Sequence, residues 1–282
     1  MRHAERSDRN NTKWGKVLSR PEHLPEFENP PLDEVVLGVQ FAPVPGYQQL
    51  HARDVWELFR SEFPLTQEHP SLPPAFETFG APSRQNLNFG IGPAVNHDRF
   101  WFLQPDNTQL LQFQKDRLLH NWRKFGDRQN TYPRFDAILS SFTSELETLS
   151  SYFNSNFHKR LEINQCEITY VNKIPVDSKF RCGDWFKFLC FDAEPNDIAI
   201  SYRYELRNRS DAPYGRLVVD IRSGVDQNNK SVVIFSLTVR GAPTDVDIET
   251  AINFLKDGRD TIVTNFAKLT TDSAHKIWER SK

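Results

Sequence analysis

Three consecutive segments near the C-terminal end alternate apolar and polar residues with period two, and that pattern limits the chain to few architectures. In 198–208, Ile200, Tyr202, Tyr204 and Leu206 fall on one side and Ser201, Arg203, Glu205 and Arg207 on the other. In 214–223, Leu217, Val219 and Ile221 alternate with Arg216, Val218, Asp220 and Arg222; in 231–240, Val233, Phe235, Leu237 and Val239 alternate with Ile234, Ser236, Thr238 and Arg240. Turn residues at 208–213 and 226–229 separate the segments, so the expected product is an antiparallel meander with one apolar face. Such a face must be covered. The segment that follows, 247–281, carries Ile248, Ile252, Leu255, Ile262, Phe266, Leu269 and Ile277 at helical spacing, which predicts a long covering helix. Gly258 and the Thr270-Thr271 pair are the places where it would bend.

The preceding part of the chain repeats this programme. Val35, Leu37, Val39 and Phe41 alternate in a strand that Pro43 ends, and a helix is expected over 48–63. The proline-broken stretch 65–93 allows short strands at 76–79 and 86–91; a hairpin then starts at 99–104 and returns through one long, kinked strand from Thr108. The segment 133–157 places Phe135, Ile138, Leu139, Phe142, Leu146, Leu149, Phe153 and Phe157 on one helical stripe. The second half opens with a strand at 165–174, followed by one or two helical turns in 182–191. The expected fold is α+β, with two sequential halves of strand, helix, antiparallel strands and long helix. Two arrangements suit it: a saddle like that of the TATA-box-binding protein, or a helix-grip fold. The expected division is a flexible N-terminal tail at 1–24, a first half at 25–160 and a second half at 161–282.

With 282 residues and a net charge of −2, a core can form without disulfides or metal, and no overall charge forces a nucleic-acid or membrane partner. Cys166, Cys182 and Cys190 are odd in number and lack C-x-x-C spacing, so they read as small buried thiols of a reducing compartment. The charged N-terminus has no apolar run, and no stretch reaches the roughly 18 apolar residues of a membrane span. A cytoplasmic protein without cofactor or metal is expected.

Catalytic motifs are missing: the chain contains no H-E-x-x-H, no phosphate-binding G-x-x-x-x-G-K-[ST] and no G-x-S-x-G. Two groups of residues remain as candidates. Arg203, Arg207, Arg209, Arg216, Arg222 and Arg240 gather on the side of the meander away from its apolar face. Guanidinium groups bind carboxylates and phosphates in bidentate fashion, so this face suits an acidic protein partner, a nucleic acid or a small anion; solvated cross-strand ion pairs are the plainer reading. Gln114, Asp116, Arg117, His120, Asn121, Trp122 and Arg123 crowd many polar groups into one strand, as the wall of a polar pocket or as a structural network.

Several segments together resemble a sporadically distributed bacterial family of uncharacterised proteins of similar length. They are Phe27-Glu28-Asn29-Pro30-Pro31-Leu32-Asp33-Glu34-Val35-Val36-Leu37-Gly38-Val39-Gln40-Phe41, the stretch from Gln114 to Arg123 with its Asn121-Trp122-Arg123, Ile168-Thr169-Tyr170-Val171-Asn172-Lys173-Ile174, and Ala274-His275-Lys276-Ile277-Trp278. The resemblance covers about 24–282 and brings no catalytic residues with it. It implies an association with defence or toxin–antitoxin-like systems. The expected function is therefore that of a non-enzymatic binding or regulatory protein acting through a protein partner. The alternatives are a small-ligand protein or enzyme with a pocket between curved sheet and C-terminal helix, and nucleic-acid binding on the arginine face. Exposed sheet edges would also allow a homodimer.

Overall fold

The computed structural model describes residues 23–80, 97–125, 130–177, 180–189, 198–226 and 228–282. The strands are β1 (Leu32–Phe41), β2 (Leu65–His69), β3 (Arg99–Leu103), β4 (Gln109–Gln114), β5 (Arg117–Arg123), β6 (Ile163–Pro175), β7 (Ala199–Arg207), β8 (Pro213–Val225) and β9 (Ser231–Gly241). The helices are α1 (Ala52–Phe59), α2 (Phe135–Phe157), α3 (Cys182–Trp185), α4 (Ile248–Leu269) and α5 (Asp272–Ile277).

All nine strands form one sheet, ordered β2-β3-β4-β5-β1-β6-β9-β8-β7, and every pairing is antiparallel. The order has an internal symmetry. In each half the opening strand, β1 or β6, pairs with the last strand of the meander that follows, β5 or β9. The two opening strands pair with each other at the centre, with Val35 opposite Tyr170, Leu37 opposite Ile168 and Val39 opposite Cys166. The fold is thus a mixed α+β layer.

The helices lie on one side, because strand alternation puts the large apolar residues there. Val35, Leu37, Val39 and Phe41 of β1 are buried, as are Leu217, Val219 and Ile221 of β8 and Val233, Phe235, Leu237 and Val239 of β9. Phe153 of α2 meets Phe41 edge-on at 5.9 Å, and Phe266 of α4 stacks on Phe235 at 5.8 Å. These aromatic pairs add to the burial of the apolar stripes.

Several expectations change. The long strand from Thr108 is two strands: Gln114 pairs with Arg117, and Lys115-Asp116 make the turn between β4 and β5. The helix expected over 48–63 is a 3-10 turn (Gln49–His51) followed by the eight-residue α1. The stretch after Pro64 contributes β2, an edge strand too polar, as Leu-Thr-Gln-Glu-His, to show alternation. The 76–79 segment is extended but joins no strand. The strand expected at 86–91, Cys190 and residues 1–22 of the tail lie outside the described residues, while Leu24 is already buried. The C-terminal helix divides at Thr270-Thr271 into α4 and α5, where Thr271 caps α5 by accepting from the Ala274 N–H at 3.2 Å.

Gly258 lies within the uninterrupted α4 and lets the helix approach the sheet. A Cβ there would stand 2.6 Å from Ile168 Cγ2 and 3.4 Å from Val239 Cγ1. Alanine normally gains about 1 kcal/mol over glycine inside a helix, but overpacking a core costs about 1–3 kcal/mol. Gly258→Ala is therefore expected to lower stability, read as a reduced urea midpoint with unchanged slope; a raised midpoint would show that the helix yields freely.

Candidate functional site

The sheet side away from the helices, here the open face, is crossed by residues 70–79 of the protein's own chain. This strap runs at right angles to the strands and is gripped by side chains from seven adjacent strands. Arg99 Nε of β3 donates to the Pro70 carbonyl at 3.1 Å. Gln114 of β4 makes a two-way bond with Leu72, accepting from its N–H at 2.8 Å and donating to its carbonyl at 3.0 Å. Arg117 of β5 donates to the Pro73 carbonyl at 3.0 Å, and Gln40 of β1 accepts from the Ala75 N–H at 3.0 Å. Gln165 of β6 accepts from the Glu77 N–H at 3.4 Å. Arg216 of β8 donates to the Glu77 carboxylate at 2.8 Å and to the Thr78 carbonyl at 2.9 Å, while Arg240 of β9 pairs with Glu77 at 3.6 Å.

Strand register makes this a single row. Gln114 faces Arg117, Arg117 faces Gln40, and Gln40 faces Gln165; one step along, Glu167 faces Arg240 and Arg240 faces Arg216. The lengths agree. Six gaps of about 4.8 Å span about 29 Å, and the eight steps from Pro70 to Thr78 reach about 26–29 Å when extended. Pro73 and Pro74 favour that conformation and offer no N–H. A cavity of about 240 Å³ remains between strap and sheet, lined by Gly38, Leu72, Pro73, Ala75 and Leu119. A second, of about 430 Å³, opens beside Glu77 and is lined by Ser201, Arg203, Asp220, Thr238 and Arg240.

The six candidate arginines therefore differ. Arg216 and Arg240 hold the strap, and Arg240 also pairs with Glu167. Arg207 pairs with Glu205 at 2.7 Å and with Asp211 at 3.5 Å. Arg203 borders the larger cavity, Arg222 is exposed further along β8, and Arg209 sits in the exposed turn between β7 and β8. The centre of the open face is less polar than its alternation suggested: Val36, Leu119, Val171, Val218 and Ile234 are half-buried there.

The other candidate group divides between the two sides of the sheet. Gln114, Arg117, Asn121 and Arg123 lie on the open face. Asp116, in the turn, accepts from Gln114 at 2.9 Å and from Arg117 at 3.3 Å. Asn121 belongs to a relay: Arg99 and Trp101 donate to Gln112, Gln112 donates to Asn121 at 2.9 Å, and Asn121 donates to Glu34 at 2.6 Å. Arg123 donates to the Asn107 carbonyl at 3.0 Å and lies over Trp101 and Phe125. His120 and Trp122 point to the helices. His120 is fully buried, with Nδ1 2.9 Å from Glu145 and Nε2 3.0 Å from Gln109; Trp122 packs on Tyr132 at 5.0 Å. Burial raises the Cys166 thiol far above its ordinary range, which leaves it protonated and unreactive. Among the described residues no three His, Cys, Asp or Glu side chains converge.

Glu145 is marked in the sequence: it falls inside the α2 stripe, three residues after Phe142 and four before Leu149, where a buried carboxylate needs a partner. Gln40, Gln165 and Glu77 carry no such mark, since their bonds join residues 35 to 139 positions apart. Comparison with protein-family models, with curated proteins and with solved structures finds no match to this chain. No helix among the described residues is long and apolar enough to cross a membrane.

Two substitutions test the network. Trp122→Ala is expected to cost about 3–5 kcal/mol, as for other buried aromatics, measured by chemical denaturation. Burial raises the Glu34 carboxyl above the ordinary carboxylate range, so the folded chain binds this proton more tightly than the unfolded chain does. Its contribution is present below the unfolded value and is lost as pH rises through the folded one. Glu34→Gln is therefore expected to melt above wild type at pH 7 and to lose that advantage towards pH 4; an advantage independent of pH would assign it another cause.

Proposed function

We propose that this is a non-enzymatic binding protein that holds a protein partner on the open face of its sheet. The observation that carries this reading is the face itself: a row already adapted to grip an extended chain, flanked by a cavity of about 430 Å³ and by Arg203 and Arg207 on the edge strand β7. Its arginines are interleaved with carboxylates, Arg207 with Glu205 and Arg240 with Glu77 and Glu167. Alternating signs complement a protein surface better than a phosphate backbone, which calls for continuous positive charge. The buried histidines His120 and His275 point to the helix side and are engaged there, with Glu145 and Thr270 respectively, which favours binding over catalysis.

Strand order and helix placement also support a saddle of two equivalent halves over a helix-grip arrangement. The paired opening strands β1 and β6 stand at the centre, and each half has its own long helix, α2 or α4. A place in a bacterial defence or toxin–antitoxin-like pair is carried by the sequence resemblance.

The double variant Arg203→Glu, Arg207→Glu is expected to lose its partner in affinity purification from the native host while keeping the wild-type melting temperature. Equal capture by variant and wild type would remove the face from consideration. Co-purifying nucleic acid released by moderate salt would instead favour the nucleic-acid reading.

A further inference from the structure

We infer that the strap occupies a receptor row for extended peptides, and that the partner proposed above supplies a segment of the same chemistry: proline-tolerant, extended, with a carboxylate five residues after the one that meets Gln114. This rests on the reading of the open face as a protein-binding surface.

The contacts define what the row accepts. It uses the N–H of Leu72, Ala75 and Glu77 and the carbonyls of Pro70, Leu72, Pro73 and Thr78. These are backbone groups that any sequence offers. Proline is accepted at 73 and 74 because no N–H is used there. One side chain is read by charge: Glu77, enclosed by Arg216 and Arg240. Apart from Glu77, the grip is side chain to backbone, as in recognition of a separate peptide, and the strap adds no strand to the sheet. Its outward side chains are exposed, Phe76 at 57%, so the strap itself buries little apolar surface.

A tethered segment has an effective concentration of about millimolar, so the strap excludes a weak competitor from the intact protein. A partner displaces it by making contacts that the strap leaves unmade. The cavity of about 240 Å³ lined by Ala75, Gly38 and Leu119 is one such place, and a side chain larger than alanine at that point fills it. The space of about 430 Å³ beside Glu77 is another.

The test uses a fluorescent synthetic peptide of residues 69–80 and the full-length protein in which residues 72–77 are replaced by Gly and Ser. Anisotropy titration is expected to give saturable binding at least tenfold tighter than to wild type. Glu77→Ala in the peptide, or Arg216→Ala in the protein, weakens it at least tenfold, and Ala75→Leu in the peptide strengthens it. The titration contains no native partner, so its failure is read separately from failure of partner capture in affinity purification. Absence of saturable binding to the folded Gly/Ser variant, equal binding by wild type, or indifference to Arg216 would each overturn the inference. If the Gly/Ser variant does not fold, full-length Glu77→Ala decides: it is expected to bind the peptide tighter than wild type, and no binding to it rejects the receptor row.

Discussion

The pairing of β1 with β6 is the contact on which the remainder of this fold depends. Each half builds its sheet outward from its own opening strand, and without this central ladder there would be two small sheets, each with a long apolar edge. The ladder runs from Leu32 opposite Asn172 to Phe41 opposite Ile163. Its helix-side residues are among the least exposed in the chain, with Val35, Leu37, Ile163 and Ile168 all at 0%. Backbone hydrogen bonds hold the register, and apolar burial beneath it contributes most of the stabilisation. The joining of halves also creates the open face, since no single half is wide enough to carry a row of seven strands.

On that face the protein solves a problem that large sheets share. A sheet covered on one side leaves the other to water, and here its centre includes Val36, Leu119, Val171, Val218 and Ile234. The strap covers part of this surface while its backbone is satisfied by glutamine and arginine side chains. Primary amides suit the task because each offers both donor and acceptor, as Gln114 shows by bonding Leu72 in both directions. Arginine serves where only carbonyls or a carboxylate must be met. The division of labour follows the strap's own composition, prolines first and Glu77 later.

Much of the layered architecture was legible from periodicity. The alternation of β1, β6, β8 and β9 and the stripe of α2 each arise from burial on one side, which writes itself directly into sequence. Thr270-Thr271 was legible only as a place where one long helix would bend; the helix instead ends there and a second one starts, capped by Thr271. What was not legible depends on contacts between distant residues. β2 is polar and short at the sheet edge. The turn at Lys115-Asp116 lacks glycine, so two strands read as one. The strap has no periodicity, since its prolines and its bonding partners, not alternate burial, fix its course. The split of His120 and Trp122 from Asn121 and Arg123 follows from parity once β5 is recognised as a strand; the polar richness of the segment concealed it. His120 and Trp122 address α2 and Tyr132, Gln114, Arg117, Asn121 and Arg123 lie on the open face, and Asp116 sits in the turn.

The strap's direction has a mechanical consequence. Neighbouring strands of a sheet are rotated by about 20–25° on average but over a range of roughly 10–35°, so pairing alone leaves the twist variable. A chain bonded transversely to strands β3 through β8 acts as a spar against that variation, because any change in twist must lengthen or shorten the line from Arg99 to Arg216. An extended backbone with two adjacent prolines stretches little. These ten residues thus brace the two halves against each other from the side of the sheet away from the helices, and lifting them would leave the relative angle of the halves to the strand ladders alone.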